Sequence, residues 1–397
     1  MSLAFVCVSS LFAASPVDGD WSGKLNVGGH SLKLVLHVGE EITLDSPDQG
    51  AFGIPCETLY KDTDSISLSV PSLFLKYGGK VTGDEMRGIF RQGLLPIPLT
   101  LTRGVTPRVR PQTPQPPFPY TEEEITVVNE AGGSELSGTL TLPENAAPGV
   151  PLVILVSGSG LQNRDEELFE HRPFAVIADH LARHGIASFR YDDRGFGASK
   201  GEVETATTED FASDAGVVLE RMRRDGRFGK IGIVGHSEGG LIAYMLASGA
   251  TPPDFIVSIA GPTVAGRDIL LWQNKLALIN SGVEPYLAEQ MASKALESPK
   301  ANEWLLWFMS HDPADDLKGI KCPALLVFGE KDMQVPPALN EVPARACAPG
   351  ADVRVYPGLN HLMQNAGTGM VAEYAEIEET ISPRFLDDLT TFIYTLK

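Results

Sequence analysis

The sequence predicts an α/β protein: a mostly parallel sheet flanked by helices and carrying a helical insertion, preceded by a small all-β domain. Three observations lead there. From Leu152 onward, short apolar runs alternate with helical patterns. Between residues 18 and 103 only short β-rich segments occur. Separating the two, residues 104–120 carry Pro107, Pro111, Pro114, Pro116, Pro117 and Pro119, which reads as an extended, semi-rigid linker and a domain boundary.

The chain has 397 residues, enough for two or three domains at roughly 100–200 residues each. A hydrophobic content of 43% against 21% charged residues excludes wholesale disorder. The net charge of −19 argues against nucleic acid or an anionic membrane surface as partner, because both repel an acidic protein. Four cysteines (Cys7, Cys56, Cys322, Cys347) lack C-x-x-C spacing, so neither a zinc site nor a disulfide framework is expected. One pair among Cys56, Cys322 and Cys347 could still bond in an oxidising compartment. Leu3 to Ala14 is a short apolar run followed by small residues. It resembles the core and cleavage site of a secretory signal whose basic start is missing, and predicts export to the periplasm or beyond. The bland alternative is an apolar strand. No other segment reaches membrane-spanning length without charges, so stable membrane insertion is not expected.

In the first domain, Lys24 to Val27, Ser31 to Val38, Ser65 to Val70, Met86 to Phe90 and Leu99 to Leu101 read as strands punctuated by Gly, Pro, Asp and Asn. They suggest an antiparallel sandwich or half-barrel with nothing catalytic in it. Asp45 to Gly50 reads as a turn. In the second domain, Ile125 to Asn129 and Gly138 to Leu142 form a strand pair. Leu152 to Val156 is a continuous apolar run, as a strand buried on both faces requires. A helix over Phe174 to His184, a strand Ala187 to Tyr191, a helix Thr208 to Arg224 and a strand Ile231 to Val234 follow. After a helix to Ser248 and a strand Phe255 to Ala260, residues 263–319 read as mostly helical. Strand Ala324 to Phe328, a helix near Pro337 to Ala346, strand Asp352 to Tyr356 and a helix from Arg384 close the chain. Such alternation means parallel strands with right-handed crossovers.

Gly235-His236-Ser237-Glu238-Gly239-Gly240 sits between a predicted buried strand and a predicted helix, the context a G-x-S-x-G motif requires. The turn holds its central residue in a strained conformation, and glycine beside it lets strand and helix approach closely. Ser237 is then presented at the C-terminal edge of the sheet, with the N–H of Glu238 aimed where an oxyanion would form. A serine at its ordinary pKa is a poor nucleophile and needs a base and an orienting acid, which in this topology come later, acid before histidine. Only His311 and His361 remain downstream. His361, in the loop after a predicted strand, is favoured; His311 falls in the helical insertion. For the acid, Asp332 directly follows strand Ala324 to Phe328, with Glu330 as runner-up and Asp312 remote. The second oxyanion amide should come from the loop Ser157 to Asp165, from Ser159 by position and Gly160 next. Arg164 and Asp165 are expected to pair with each other or to brace this loop.

Ser157 to Glu166 (SGSGLQNRDE), Arg190 to Gly201 (RYDDRGFGASKG), the Ser237 turn, Gly329 to Pro336 (GEKDMQVP) and Gly358 to His361 (GLNH) together resemble the α/β-hydrolase superfamily. The nearest likeness is to bacterial carboxylesterases with a β-rich N-terminal domain, and more loosely to serine aminopeptidases and prolyl-oligopeptidase-like enzymes. The resemblance covers roughly 122–397. It implies a Ser237, Asp332, His361 triad, oxyanion amides from Ser159 and Glu238, and a cap over the site at 263–319. Asp192-Asp193-Arg194-Gly195 matches a structural turn of the family. The sequence departs from many relatives in one place, reading Ser157-Gly158 where they have His-Gly.

Other signals are weaker. His180 and His184 stand four apart on a helix, but lack a third ligand and an adjacent acid, so a solvent-facing or capping pair is favoured over a metal site. Nucleotide-binding fingerprints are absent in usable context, so no cofactor is expected. Trp272, Trp304, Leu305, Leu306, Trp307, Phe308 and Met309 in the insertion would suit an acyl or aromatic group, or else dock the cap onto the body. The reading is a serine hydrolase that cleaves small-molecule carboxylic esters with short or medium acyl groups, or acylated carbohydrate. A serine exopeptidase with the same triad is the alternative, with Glu238 or Glu303 able to meet a free α-amine. A non-catalytic envelope binding module is the third possibility.

Overall fold

The computed structural model describes residues 16–27, 30–92, 95–297 and 302–396, so the apolar run from Leu3 to Ala14 lies outside the described residues. The chain divides into two compact units, one reaching Pro107 and the other starting at Arg108.

In the first unit, nine strands among the described residues form one antiparallel sheet: β1 (Gly19–Val27), β2 (His30–Val38), β3 (Ile42–Ser46), β4 (Ala51–Pro55), β5 (Glu57–Lys61), β6 (Ser65–Val70), β7 (Leu75–Thr82), β8 (Glu85–Gln92) and β9 (Leu95–Arg103). The order is β4-β3-β2-β1-β9-β8-β7-β6-β5, a meander joined through β1 and β9. It is one continuous sheet, not the two stacked layers of a sandwich. Leu36, Leu44, Leu68, Tyr77, Phe90 and Leu101 from separate strands line one shared apolar space, so the sheet curls around its own core. Period-two alternation explains the register: in β8 Met86 and Phe90 are buried while Arg87 and Arg91 are exposed. Asp45 to Gly50 does turn, through a 3-10 step at Pro47–Gln49 ended by Gly50 in the left-handed region.

In the second unit, eight strands among the described residues form a mixed sheet: β10 (Tyr120–Asn129), β11 (Ser134–Pro143), β12 (Val150–Val156), β13 (Ala187–Tyr191), β14 (Phe228–His236), β15 (Phe255–Ile259), β16 (Ala324–Gly329) and β17 (Asp352–Tyr356). The order is β10-β11-β13-β12-β14-β15-β16-β17, parallel from β13 to β17 with an antiparallel pair at one edge. The chain order reverses between β12 and β14, which puts a crevice beyond their carboxyl ends, the usual place for a ligand in an open α/β sheet. The helices are α1 (Pro173–Arg183), α2 (Thr208–Asp225), α3 (Glu238–Ser248), α4 (Gly266–Asn280), α5 (Pro285–Ala295), α6 (Glu303–Ser310), α7 (Ala314–Lys318), α8 (Pro337–Cys347), α9 (Val371–Tyr374) and α10 (Pro383–Thr395). Proline opens α1, where a missing N–H costs nothing, and a reciprocal Thr207–Asp210 capping box opens α2. One apolar core lies on each face of the sheet, around Leu152, Ile233 and Leu326 on one side and Val153, Val257 and Val327 on the other. α4 to α7 form the helical insertion between β15 and β16.

The proline-rich stretch is not a free spacer throughout. From Arg108 it is laid against the second unit. The Arg110 guanidinium donates to the carbonyls of Phe169, Ala375 and Ile377, and the Gln112 amide donates to Ile381. Cys56, Cys322 and Cys347 are free thiols, so none of the pairs open to them forms, and burial pushes Cys56 and Cys322 up to about 11. No described helix is long and apolar enough to cross a membrane.

Candidate active site

β14 ends at His236, α3 begins at Glu238, and Ser237 between them has φ 53 and ψ −116. That conformation is strained for any residue with a Cβ, and neighbouring contacts hold it. The Ser237 N–H donates to the carbonyl of Ile259 at the end of β15 (2.8 Å), and its carbonyl accepts from Gly240 (2.9 Å). Gly235 and Gly239 have no room for a side chain: a Cβ on Gly235 would strike the Gly239 carbonyl, and one on Gly239 the Val156 carbonyl. Strand, turn and helix thus fit only because these positions are glycine.

Asp332 and His361 come together at the ends of β16 and β17. His361 Nδ1 lies 2.8 Å from Asp332 Oδ2. The other carboxylate oxygen accepts the N–H groups of Gln334 (2.8 Å) and Val335 (2.9 Å). Both side chains are buried, at 1% and 4% exposure, so the acid is fixed by its own loop and fixes the imidazole in turn. The loop carrying His361 is shaped by Asn360, whose side-chain oxygen accepts from Leu362 and Gln364 (3.0 Å each). The His361 ring lies 4.7 Å, centroid to centroid, from that of His236, next to Ser237 in the chain. The Ser237 hydroxyl makes no hydrogen bond among the described residues; serine–histidine bonds commonly tighten only with substrate.

On the opposite side, Gly158 comes so close to the nucleophile that a Cβ there would sit 3.1 Å from the Ser237 Cβ. Its N–H is taken by Glu166 Oε1 at 2.7 Å, while the following amides of Ser159 and Gly160 have no acceptor among the described residues. Neither the Ser159 N–H nor the Glu238 N–H has an acceptor among the described residues.

The other candidates have structural partners. His311 bonds Asp316 (2.8 Å) and stacks on Trp307, Asp312 accepts from Ala314, and Glu330 accepts the Gly358 N–H (2.8 Å). His180 bonds Thr390 and His184 bonds the His180 carbonyl. Among the described residues no group of three or more His, Cys, Asp or Glu could hold a metal ion. Arg164 and Asp165 do not pair with each other. Arg164 clamps Asp192 (3.0 Å) and Asp165 pairs with Arg190 (2.8 Å), so both brace the loop through partners beyond sequence reach. The Asp193 carboxyl is enclosed between the Ser157 hydroxyl and the Gln162 N–H (2.8 Å each). Burial raises it to about 8, with Glu166 and Glu238 nearby adding to the effect.

The Glu238 side chain is buried. Its Oε1 accepts from Thr208 Oγ1 (2.6 Å) and from the indole of Trp304 in the insertion (2.9 Å). It lines a small cleft with Ser157, Gly158, Gly160 and Phe211. Trp304 therefore ties α6 to the start of α3, as Trp272 ties α4 to the Met333 carbonyl (3.1 Å). Glu303 opens α6 and is exposed. Of the apolar insertion residues, Phe308 is buried in the core and Leu306 faces out.

Residues 170–315 match the family model described as serine aminopeptidase, S33. Over 292 residues the chain is 28% identical to the esterase EstD of Thermotoga maritima, covering 70% of this chain and 68% of that protein. The chain has the α/β-hydrolase fold. Solved structures similar to this hydrolase include Est1E from Butyrivibrio proteoclasticus, described with ferulic acid bound (16% identical, 68% of this chain and 98% of that one, TM-score 0.46). Another is the Pyrococcus furiosus esterase Pf2001 (16% identical, 74% and 98%, TM-score 0.48).

Sequence reasoning missed two side chains of this site. His236 stands inside the serine motif and Glu166 ends the first quoted one, yet nothing in their spacing tells that they meet at 2.9 Å.

Proposed function

We propose that this hydrolase is a serine carboxylesterase acting through an acyl-enzyme on Ser237. The observation that carries the reading is the strained Ser237 turn beside a buried His361–Asp332 pair. Ser237 Oγ attacks the ester carbonyl as His361 Nε2 takes its proton. The amides of Ser159 and Glu238 meet the oxyanion. His361 then protonates the departing alkoxide, and water repeats the sequence to free the acid. Asp332 keeps the proton of the neutral ring on Nδ1, leaving Nε2 as the base. The likeness to the Thermotoga maritima esterase supports ester chemistry.

Two observations favour the peptidase alternative: the buried Glu238 carboxyl lies one residue from the nucleophile, and the matched family model is an aminopeptidase one. That carboxylate is already engaged by Thr208 and Trp304, which weakens its offer to a substrate ammonium. Hydrolysis of p-nitrophenyl acetate through decanoate, set beside aminoacyl- and prolyl-p-nitroanilides, decides. Ester turnover with silent anilides is expected. Anilide turnover at comparable rates would move the assignment to a peptidase.

A further inference from the structure

His236 is buried with each ring nitrogen facing an oxygen. Nε2 is 3.1 Å from the carbonyl oxygen of His361, and Nδ1 is 2.9 Å from Glu166 Oε1. A carbonyl only accepts, so Nε2 carries a proton. Glu166 Oε1 also accepts the Gly158 N–H at 2.7 Å, and donors converging on one carboxyl oxygen favour its ionised form. With a carboxylate opposite, Nδ1 is a donor as well, and the ring is an imidazolium paired with Glu166.

The surroundings leave this pair little other charge to meet. Phe174 and Ile177 of α1, Ile259 at the end of β15 and Phe385 of α10 face it with hydrocarbon. Its titratable neighbours are His361 and Asp332, with Asp193 acting on Glu166. Burial works against the charged ring most strongly, but the Glu166 carboxylate, the His361 carbonyl and Asp332 together outweigh it, so the His236 pKa is raised from its ordinary value.

Resting on the serine-hydrolase reading above, we infer that the Glu166–His236 ion pair positions the catalytic groups by tying two loops together beside Ser237. Through the Gly158 N–H it sets the oxyanion loop. Through the His361 carbonyl it sets the loop that carries the base. Glu166 is itself held at φ 51, outside the comfortable range for a residue with a side chain, as a side chain recruited to an exact spot can be. Both are positioning residues, because what they touch is the scaffold of the reacting groups. Misplacement on the order of 1 Å at such a site costs about 10²-fold in rate.

Glu166→Gln is the test. The amide oxygen can still accept from Gly158, but it carries no charge to keep Nδ1 protonated, so the ring becomes neutral and turns a lone pair toward the amide. On p-nitrophenyl acetate kcat should fall roughly 10- to 100-fold. KM should stay within about threefold. The alkaline limb of the kcat profile should move to lower pH. Wild-type kcat and profile in a folded Glu166→Gln enzyme, with Ser237→Ala inactive, overturn the brace alone. Wild-type rates in Ser237→Ala overturn the hydrolase reading instead. Should the variant not fold, the ring nitrogens of His236 in the intact enzyme decide by NMR at neutral pH. Two protonated nitrogens are expected, and a neutral tautomer contradicts the ion pair.

Discussion

In the β unit the enclosed side of the sheet is filled by Trp21, Leu36, Leu68, Met86, Phe90 and Leu101, and among the described residues the buried charged ones are Lys33 and Asp48, joined through the Lys33 backbone N–H. In the hydrolase unit the strand centres are equally apolar, yet the ends of the central strands run into Glu166, Asp193, His236, Glu238, Asp332 and His361, all buried. Enclosing ionisable groups is costly unless each has a partner, and here each does. The difference teaches where selection tolerated that cost. One unit is built to fold. The other concentrates its electrostatic risk at the carboxyl edge of a parallel sheet, where perturbed titrations and chemistry go together.

The sharpest break of that contrast is Ser237→Ala, which should lower kcat on esters by about 10⁴- to 10⁶-fold with an unchanged fold, read by steady-state kinetics and circular dichroism. Asp332→Asn comes next. Its oxygen would keep the Gln334 and Val335 amides, so its NH2 would face His361 Nδ1 and force the proton onto Nε2. The wrong tautomer cannot take the serine proton, and kcat should drop by about 10⁴-fold. Met86→Ala does the reverse. Met86 is fully buried in the β unit, so the change should cost roughly 2–5 kcal/mol in denaturant unfolding while leaving kcat per folded enzyme unaltered.

Asp193→Asn sharpens the comparison most gently. The folded-state pKa of Asp193 is raised to about 8, so its contribution to stability is complete below the ordinary carboxyl range. It is lost as pH climbs toward 8. The neutral isostere has no such loss. Relative to wild type the variant should gain at least about 1 kcal/mol between pH 5 and pH 8, read from unfolding midpoints. A constant gap would mean that Asp193 is ionised throughout.

Much of this was legible because the local signal and the tertiary role coincide. Ala187 to Tyr191 and Asp352 to Tyr356 are strands with the bounds the sequence predicts, and the Ser237 turn carries its geometry in its glycines. The β unit was harder. β5 is exposed along its length and β7 contains Gly78 and Gly79, so neither shows the alternation that betrays a half-buried strand, and β3 and β4 were passed over beside them. The single sheet, which excludes the sandwich, depends on β1 pairing with β9 from the far end of the unit. In the site, chain order revealed the triad candidates. The charged partners of Glu166, Arg164 and Asp165, namely His236, Asp192 and Arg190, stand 25 or more residues away, and no spacing rule reaches that far.

The central claim is that Ser237 becomes acylated. Rapid acid quenching of wild-type enzyme turning over p-nitrophenyl acetate, followed by peptide mass spectrometry, addresses it directly. The account predicts one acetyl group on the peptide containing Ser237, gone when Ser237 is alanine. An acetyl group on another residue, or turnover with no acylated enzyme under conditions where deacylation limits the rate, would contradict it.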